Sequence, residues 1–253
     1  DYDTISPLPN VRGAKEKAVS GWYAPFTHDM PFRAWLWKTF GAVHISVDDE
    51  GVSVAPLSPT AGAYRMLHTG EGLFRMEDHP VPLAGFVDGP SGEKLFVFGE
   101  SYAPTSAFAV LGRFIVMAGG LVFGALALVH TICWAPMRFL GRLPSGPGVR
   151  LRFGLFLSGA SLIVMFGVFV SVGLLGALED SAQFGRIGLL SLSFTVLSLI
   201  GPLGAALALY SLVSLPAGRT PLRVYGVVAC LFLAAAWLYV ALNGWVPFIS
   251  WRV

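Results

Sequence analysis

Two kinds of hydrophobic pattern divide the chain. Up to Ser106, short apolar runs of four to nine residues alternate with turn signals. Beyond it, apolar residues run on for twenty or more positions. The long runs are Phe114–Ala135, followed by Pro136; Phe153–Leu178; Ile187–Val213, with Pro202 inside; and Val224–Val246. A hydrocarbon core about 30 Å thick takes roughly 20 helical residues, so each run predicts a transmembrane helix. The spans are 108–135, 153–178, 187–213 and 224–246 in a membrane domain covering 107–253. Pro202 predicts a kink rather than a break, because neighbouring helices re-satisfy the backbone groups it frees.

The short runs of the first half read as strands. Ala18–Ala24 is the first. Phe32–Phe40 is aromatic and fits a short helix or a strand. Ala42–Val47 and Val52–Ala55 flank Asp48-Asp49-Glu50-Gly51. Ala63–His68 and Leu73–Met76 flank Thr69-Gly70-Glu71-Gly72. Leu83–Val87 and Lys94–Phe98 flank Asp88-Gly89-Pro90-Ser91-Gly92. Evenly spaced hairpins predict a small all-β antiparallel domain, a barrel or curled sheet, over 18–106. Residues 1–17 read as a linker, and without initiator Met or signal peptide the chain reads as a fragment or processed product with a domain upstream.

Composition agrees. Apolar residues make up 55% of the chain and charged residues 13%, about half the usual charged share of ~25%, with a mean hydropathy of +0.67. The formal charge of +2 averages two different objects. Residues 1–106 carry thirteen acids against eight basic residues, net −5; residues 107–253 carry nine arginines against Glu179 and Asp180, net +7. The first connection, 136–152, holds Arg138, Arg142, Arg150 and Arg152 with no acid, and the third, 214–223, holds Arg219 and Arg223. Basic short loops stay in the cytoplasm. The β domain, the Glu179–Arg186 loop and the C-terminus are then extracytoplasmic, as expected of a multi-pass protein of a bacterial inner membrane. Trp134, Trp245 and Trp251 fall near the interfaces, where indoles are favoured. The arginines sit at helix ends rather than along a stripe, which excludes a nucleic-acid partner. The partner implied is the lipid bilayer.

Candidate chemistry is thin. His130 is the deepest ionisable group and reads as an interfacial or packed histidine; a pump needs more. Gly120-x-x-x-Gly124 permits close helix approach and reads as packing. Cys133 and Cys230 lie in apolar runs, so no disulfide framework is expected. Ser91-Gly-Glu-Lys94 matches S-x-x-K, but that chemistry needs Ser and Lys one helical turn apart, and these four sit at a hairpin tip. His68-Thr69-Gly70, a look-alike of the K-T-G box, is also at a turn. His28, His44, His68 and His79 lack zinc-ligand spacing. Asp48, Asp49 and Glu50 read as solvated. No catalytic, cofactor-binding or metal residue is assigned, and no cofactor is expected.

The order of segments carries a resemblance. Gly21-Trp22-Tyr23 is followed by Gly41-Ala-Val-His-Ile-Ser-Val47 with its acidic hairpin. Gly72-Leu-Phe-Arg75, Phe86-Val-Asp-Gly89, a Tyr102 segment leading into the apolar helices, and Asn243-Gly244-Trp245 come after. Over roughly 18–250 this resembles the C-terminal region of membrane-anchored serine hydrolases of the β-lactamase-related family, with class C β-lactamases, penicillin-binding proteins and D-alanyl-D-alanine peptidases. The resemblance implies an upstream catalytic domain as partner; the family's Ser, Lys and Tyr have no counterpart here, so the chain itself is not expected to be an enzyme. It would be a non-catalytic accessory and anchoring region. The alternative is a stand-alone membrane sensor with a ligand pocket around Trp22, Trp35 and Trp37. A small transporter would need polar groups at mid-membrane.

Overall fold

The computed structural model describes residues 19–26, 34–48, 51–57, 62–70, 72–89, 92–142, 145–174, 188–216 and 220–243. It divides into two units, 1–114 and 115–253.

The first unit holds eight strands: β1 (Gly21–Pro25), β2 (Val43–Val47), β3 (Gly51–Pro56), β4 (Tyr64–Gly70), β5 (Leu73–Met76), β6 (Ala84–Asp88), β7 (Lys94–Phe98) and β8 (Glu100–Thr105). Each pairs antiparallel with its sequence neighbour, and β8 returns to β1, so the sheet closes into a barrel. Closure removes the open edges that would otherwise recruit further strands. The alternation expected of half-buried strands holds. Val43, Ile45 and Val47 on β2 are buried, whereas His44 and Ser46 are not. Val52 and Val54 on β3 are fully buried and lie opposite Val47 and Ile45. Tyr23, Met66, Phe74, Ala84 and Phe96 complete the core, with Tyr64, Phe86, Phe98 and Tyr102 packed against it.

β8 lies where the sequence pattern indicates no strand. Its run, ESYAPT, contains Pro104, and proline lacks the ladder N–H. The register explains the tolerance. β7 pairs only with Glu100, Ser101 and Tyr102. Pro104 pairs with Tyr23 of β1 alone. It thus occupies a one-sided stretch, the place a strand proline is accepted.

The ambiguous aromatic segment is helical: α1 spans Ala34–Phe40. Trp35 and Thr39, four residues apart, are 1% and 0% exposed, and Trp37 faces out. That is a helical period. The Thr39 hydroxyl donates to the Trp35 carbonyl at 2.6 Å, and the Trp37 indole donates to Glu100 at 2.5 Å.

Four long helices follow: α2 (Ala107–Phe139), α3 (Pro147–Leu174), α4 (Leu189–Val213) and α5 (Thr220–Leu242). All four are long and apolar enough to cross a membrane, which makes the chain a multi-pass membrane protein. α2 starts at Ser106, whose hydroxyl accepts from the Ala109 N–H at 3.1 Å, an N-cap. It runs through Pro136, where the pattern suggested its end, and α4 runs through Pro202. In α2 the missing Pro136 N–H leaves the Ile132 carbonyl without its intrahelical donor.

The bundle is built with small and polar residues inside and large apolar ones outside. Ser158, Ser161, Ser191, Ser198 and Ser211 are buried, while Leu203, Leu231 and Leu238 are 69%, 63% and 60% exposed. In water this arrangement would be untenable; in lipid the leucines are solvated and small residues let backbones approach. A Cβ on Gly124 would lie 3.1 Å from Gly159 Cα, so α2 meets α3 backbone to backbone. A Cβ on Gly120 would lie 2.8 Å from Ala236 Cβ of α5. Both glycines of the G-x-x-x-G motif are therefore spent on packing within the chain. The Trp237 indole of α5 donates to Ser158 Oγ of α3 at 3.0 Å.

Candidate functional site

The barrel interior is filled by rings. Phe86 and Phe96 face each other across β6 and β7 with centroids 5.3 Å apart. Phe74 meets Phe86 edge-on at 5.7 Å, and Tyr102 lies 6.3 Å from Phe96. The Tyr23 hydroxyl donates to the Val19 carbonyl at 2.7 Å. Burial raises the phenols of Tyr23 and Tyr64 above their ordinary 10.0. Tyr102 is pushed up to about 12, by burial first, then by the Glu100 carboxylate and Tyr64.

A pH response follows. In the unfolded chain these phenols ionise near their ordinary 10.0, but the barrel holds the protons longer. A raised folded-state pKa leaves stability intact below the unfolded value and removes it as pH rises toward the folded one. The barrel's melting temperature should stay level to pH 10.0 and fall between there and about 12, the Tyr102 value. Thermal scans read alongside tyrosinate absorbance test this; a level melting temperature across that window contradicts it.

The described motif residues of the first unit lie on strands and turns. Lys94 opens β7 and its ammonium pairs with Asp88 Oδ1 at 2.7 Å, directly across the hairpin; Ser91 lies outside the described residues. A lysine on a strand and paired across a turn is not presented one helical turn from a nucleophile. His68 is buried on β4, stacks edge-on against Phe74 at 5.1 Å, and its Nδ1 accepts the Gly70 N–H at 2.9 Å. The His68-Thr69-Gly70 triplet is thus a β-bulge, where the β4–β5 register shifts. The Thr69 hydroxyl closes it on the Leu73 carbonyl at 3.0 Å. His44 faces outward against Trp22 at 5.2 Å, and the His79 N–H donates to the Met76 carbonyl in the turn after β5. His28, Asp49 and Glu50 lie outside the described residues; Asp48 pairs with Arg65 at 2.9 Å on the surface. Among the described residues no three His, Cys, Asp or Glu side chains converge on a point. Trp35 is buried, Trp37 lies exposed on α1, and Trp22 packs on His44.

Among the described residues, the charged side chains of the second unit lie at one end. Arg152 Nε of α3 donates to His130 Nε2 of α2 at 3.2 Å. The Tyr225 ring of α5 lies 6.0 Å from His130, with its hydroxyl buried and unpartnered among the described residues. A Cβ on Gly226 of α5 would meet Leu151 of α3 at 2.9 Å and Leu212 of α4 at 3.1 Å. The end of α2, the start of α3, the end of α4 and the start of α5 therefore lie together. The α2–α3 and α4–α5 connections share this end, and Arg138, Arg142, Arg150, Arg152 and Arg223 gather there; Arg219 is outside the described residues. The spacing of charges marked His130 but not its partners. Arg152 and Tyr225 are brought to it only by the helix packing.

Comparison with family models, curated proteins and solved structures finds no match.

Proposed function

We propose that the chain is a non-catalytic accessory and membrane-anchoring module. Its parent would be a serine hydrolase of the β-lactamase-related type, with the catalytic domain upstream. In this reading the barrel and the C-terminus face the outside of a bacterial inner membrane and the arginine-rich end faces the cytoplasm. The observation that carries it is a barrel with its interior filled by Phe74, Phe86, Phe96 and Tyr102, joined to four apolar helices. A filled barrel offers a surface for docking rather than a cleft for substrate. Four spans anchor far more firmly than a lipid tail, which alone gives marginal attachment. Held near the membrane, an attached hydrolase meets envelope substrates at a raised effective concentration.

Two measurements test this. The coding sequence upstream of residue 1 should encode a domain with S-x-x-K at a helix start; its absence would sink the hydrolase assignment. A fluorophosphonate or β-lactam probe should leave the purified chain unlabelled; an adduct on Ser91 would make the chain itself the enzyme.

A further inference from the structure

A groove of about 480 Å³ runs along the outside of the bundle, lined by Leu128, Thr131, Ile132, Ala135, Pro136 and Phe139 of α2 and by Phe156 of α3. Its volume lies in the range of small-molecule sites, about 300–1,000 Å³. The α2 positions recur at helical spacing and form one stripe. They cover eleven residue steps, about 16 Å at 1.5 Å per residue, which matches one leaflet of a hydrocarbon core about 30 Å thick. Thr131 adds no free polarity, because its hydroxyl donates to the Ala127 carbonyl at 2.7 Å.

The end of the stripe is charged and fixed. The Arg142 N–H donates to the Met137 carbonyl at 2.9 Å and the Gly141 N–H to the Arg138 carbonyl at 3.1 Å, with Gly141 at φ +72°. This is a Schellman cap. It holds Arg142 three residues beyond Phe139, the last residue of the groove. The Arg142 side chain is exposed, and its guanidinium makes no hydrogen bond or ion pair among the described residues. One turn back, Arg138 donates to Ser145 Oγ at 2.7 Å, which draws the α2–α3 connection toward the same end. Residues 107–253 contain only two acids, Glu179 and Asp180, both in the connection between α3 and α4. The α2–α3 connection carries no acidic residue.

We propose that this groove binds an anionic phospholipid of the surrounding bilayer. One acyl chain lies along the α2 stripe against Phe156, and the headgroup phosphate is held by Arg142 with Arg138 behind it. Charge complementarity selects the occupant: basic sites between transmembrane helices take anionic headgroups, and the adjoining apolar channel has the depth of one leaflet. A zwitterionic lipid fills the same channel but gains less from the arginines.

The test is native mass spectrometry of the full chain in detergent, titrated with dioleoyl-phosphatidylglycerol or dioleoyl-phosphatidylcholine. The intact chain should bind the anionic lipid saturably and about fivefold more tightly, the scale of one arginine near an anionic headgroup. Arg142→Gln should remove most of that preference while leaving phosphatidylcholine binding unchanged. Ala135→Phe, which fills the channel, should weaken both lipids. Arg223→Gln, at the same end but off the groove, should leave the preference intact. Equal binding of the two lipids by the intact chain overturns the proposal. So does an equal loss of preference in Arg142→Gln and Arg223→Gln, which would show a diffuse positive pole rather than a site. The hydrolase assignment plays no part in this test.

Discussion

Gly204→Leu is expected to abolish the ordered helix bundle. A Cβ at Gly204 would already lie 2.7 Å from the Ser158 backbone nitrogen and 2.9 Å from the Gly154 carbonyl oxygen. The reverse holds too: a Cβ at Gly154 would lie 2.7 Å from the Gly204 oxygen and 2.7 Å from the Ala208 nitrogen. The obstacles on both sides are backbone, which no rotamer change moves aside. Overpacking a core that can adjust costs about 1–3 kcal/mol; a helix pair that must separate along its length loses the contacts around Ser158 and Ala208 as well. The expected result is loss of the thermal transition of the detergent-solubilised chain and collapse of its monodisperse yield. Leu203→Phe, one residue away at a site 69% exposed, serves as control and should behave like the parent. A Gly204→Leu protein that melts within a few degrees of the parent would show that α3 and α4 do not meet through these glycines.

Long-range pairing separates what could be read in the sequence from what could not. The apolar runs of α2 to α5 and the alternation of Val43, Ile45, Val47, Val52 and Val54 are local patterns, visible in a window of a few residues. Barrel closure is not local. It rests on Trp22 pairing with Thr105 and Tyr23 with Pro104, and β8 was hidden by the proline that its one-sided pairing tolerates. The same holds for the helices. Gly120 and Gly124 announce themselves by spacing within one helix. The tighter contact, Gly154 and Ser158 against Gly204 and Ala208, is split between two helices, and no spacing within either one reveals it. Of the candidate site, the arginines and His130 were legible as residues. The Arg152–His130–Tyr225 cluster and the groove ending at Phe139 needed the packing of α2, α3 and α5. Pro136 misled for a physical reason: proline usually ends a helix, but here α2 continues one more turn to a Gly141 cap.

Phe96→Ala should destabilise the barrel severely while leaving the bundle standing. Phe96 is 0% exposed, pairs across the sheet with Phe86 and Tyr102, and stacks near both rings. Truncating a buried phenylalanine costs about 3–5 kcal/mol. A domain of this size has roughly 5–12 kcal/mol in total at about 0.05–0.15 kcal/mol per residue. The ring sits at the centre of the aromatic stack, so its loss leaves Phe86 and Tyr102 facing a void. At about 4–8 °C per kcal/mol for a small domain, the barrel transition should fall by roughly 12–40 °C. Val87→Ala, on the neighbouring strand at a site 47% exposed, should shift it by no more than the ~0.5 kcal/mol typical of surface changes. Helical ellipticity in detergent should survive Phe96→Ala, because α3, α4 and α5 pack on one another through glycines, serines and Trp237. If barrel and helix signals vanish together in one transition, the two units do not fold independently.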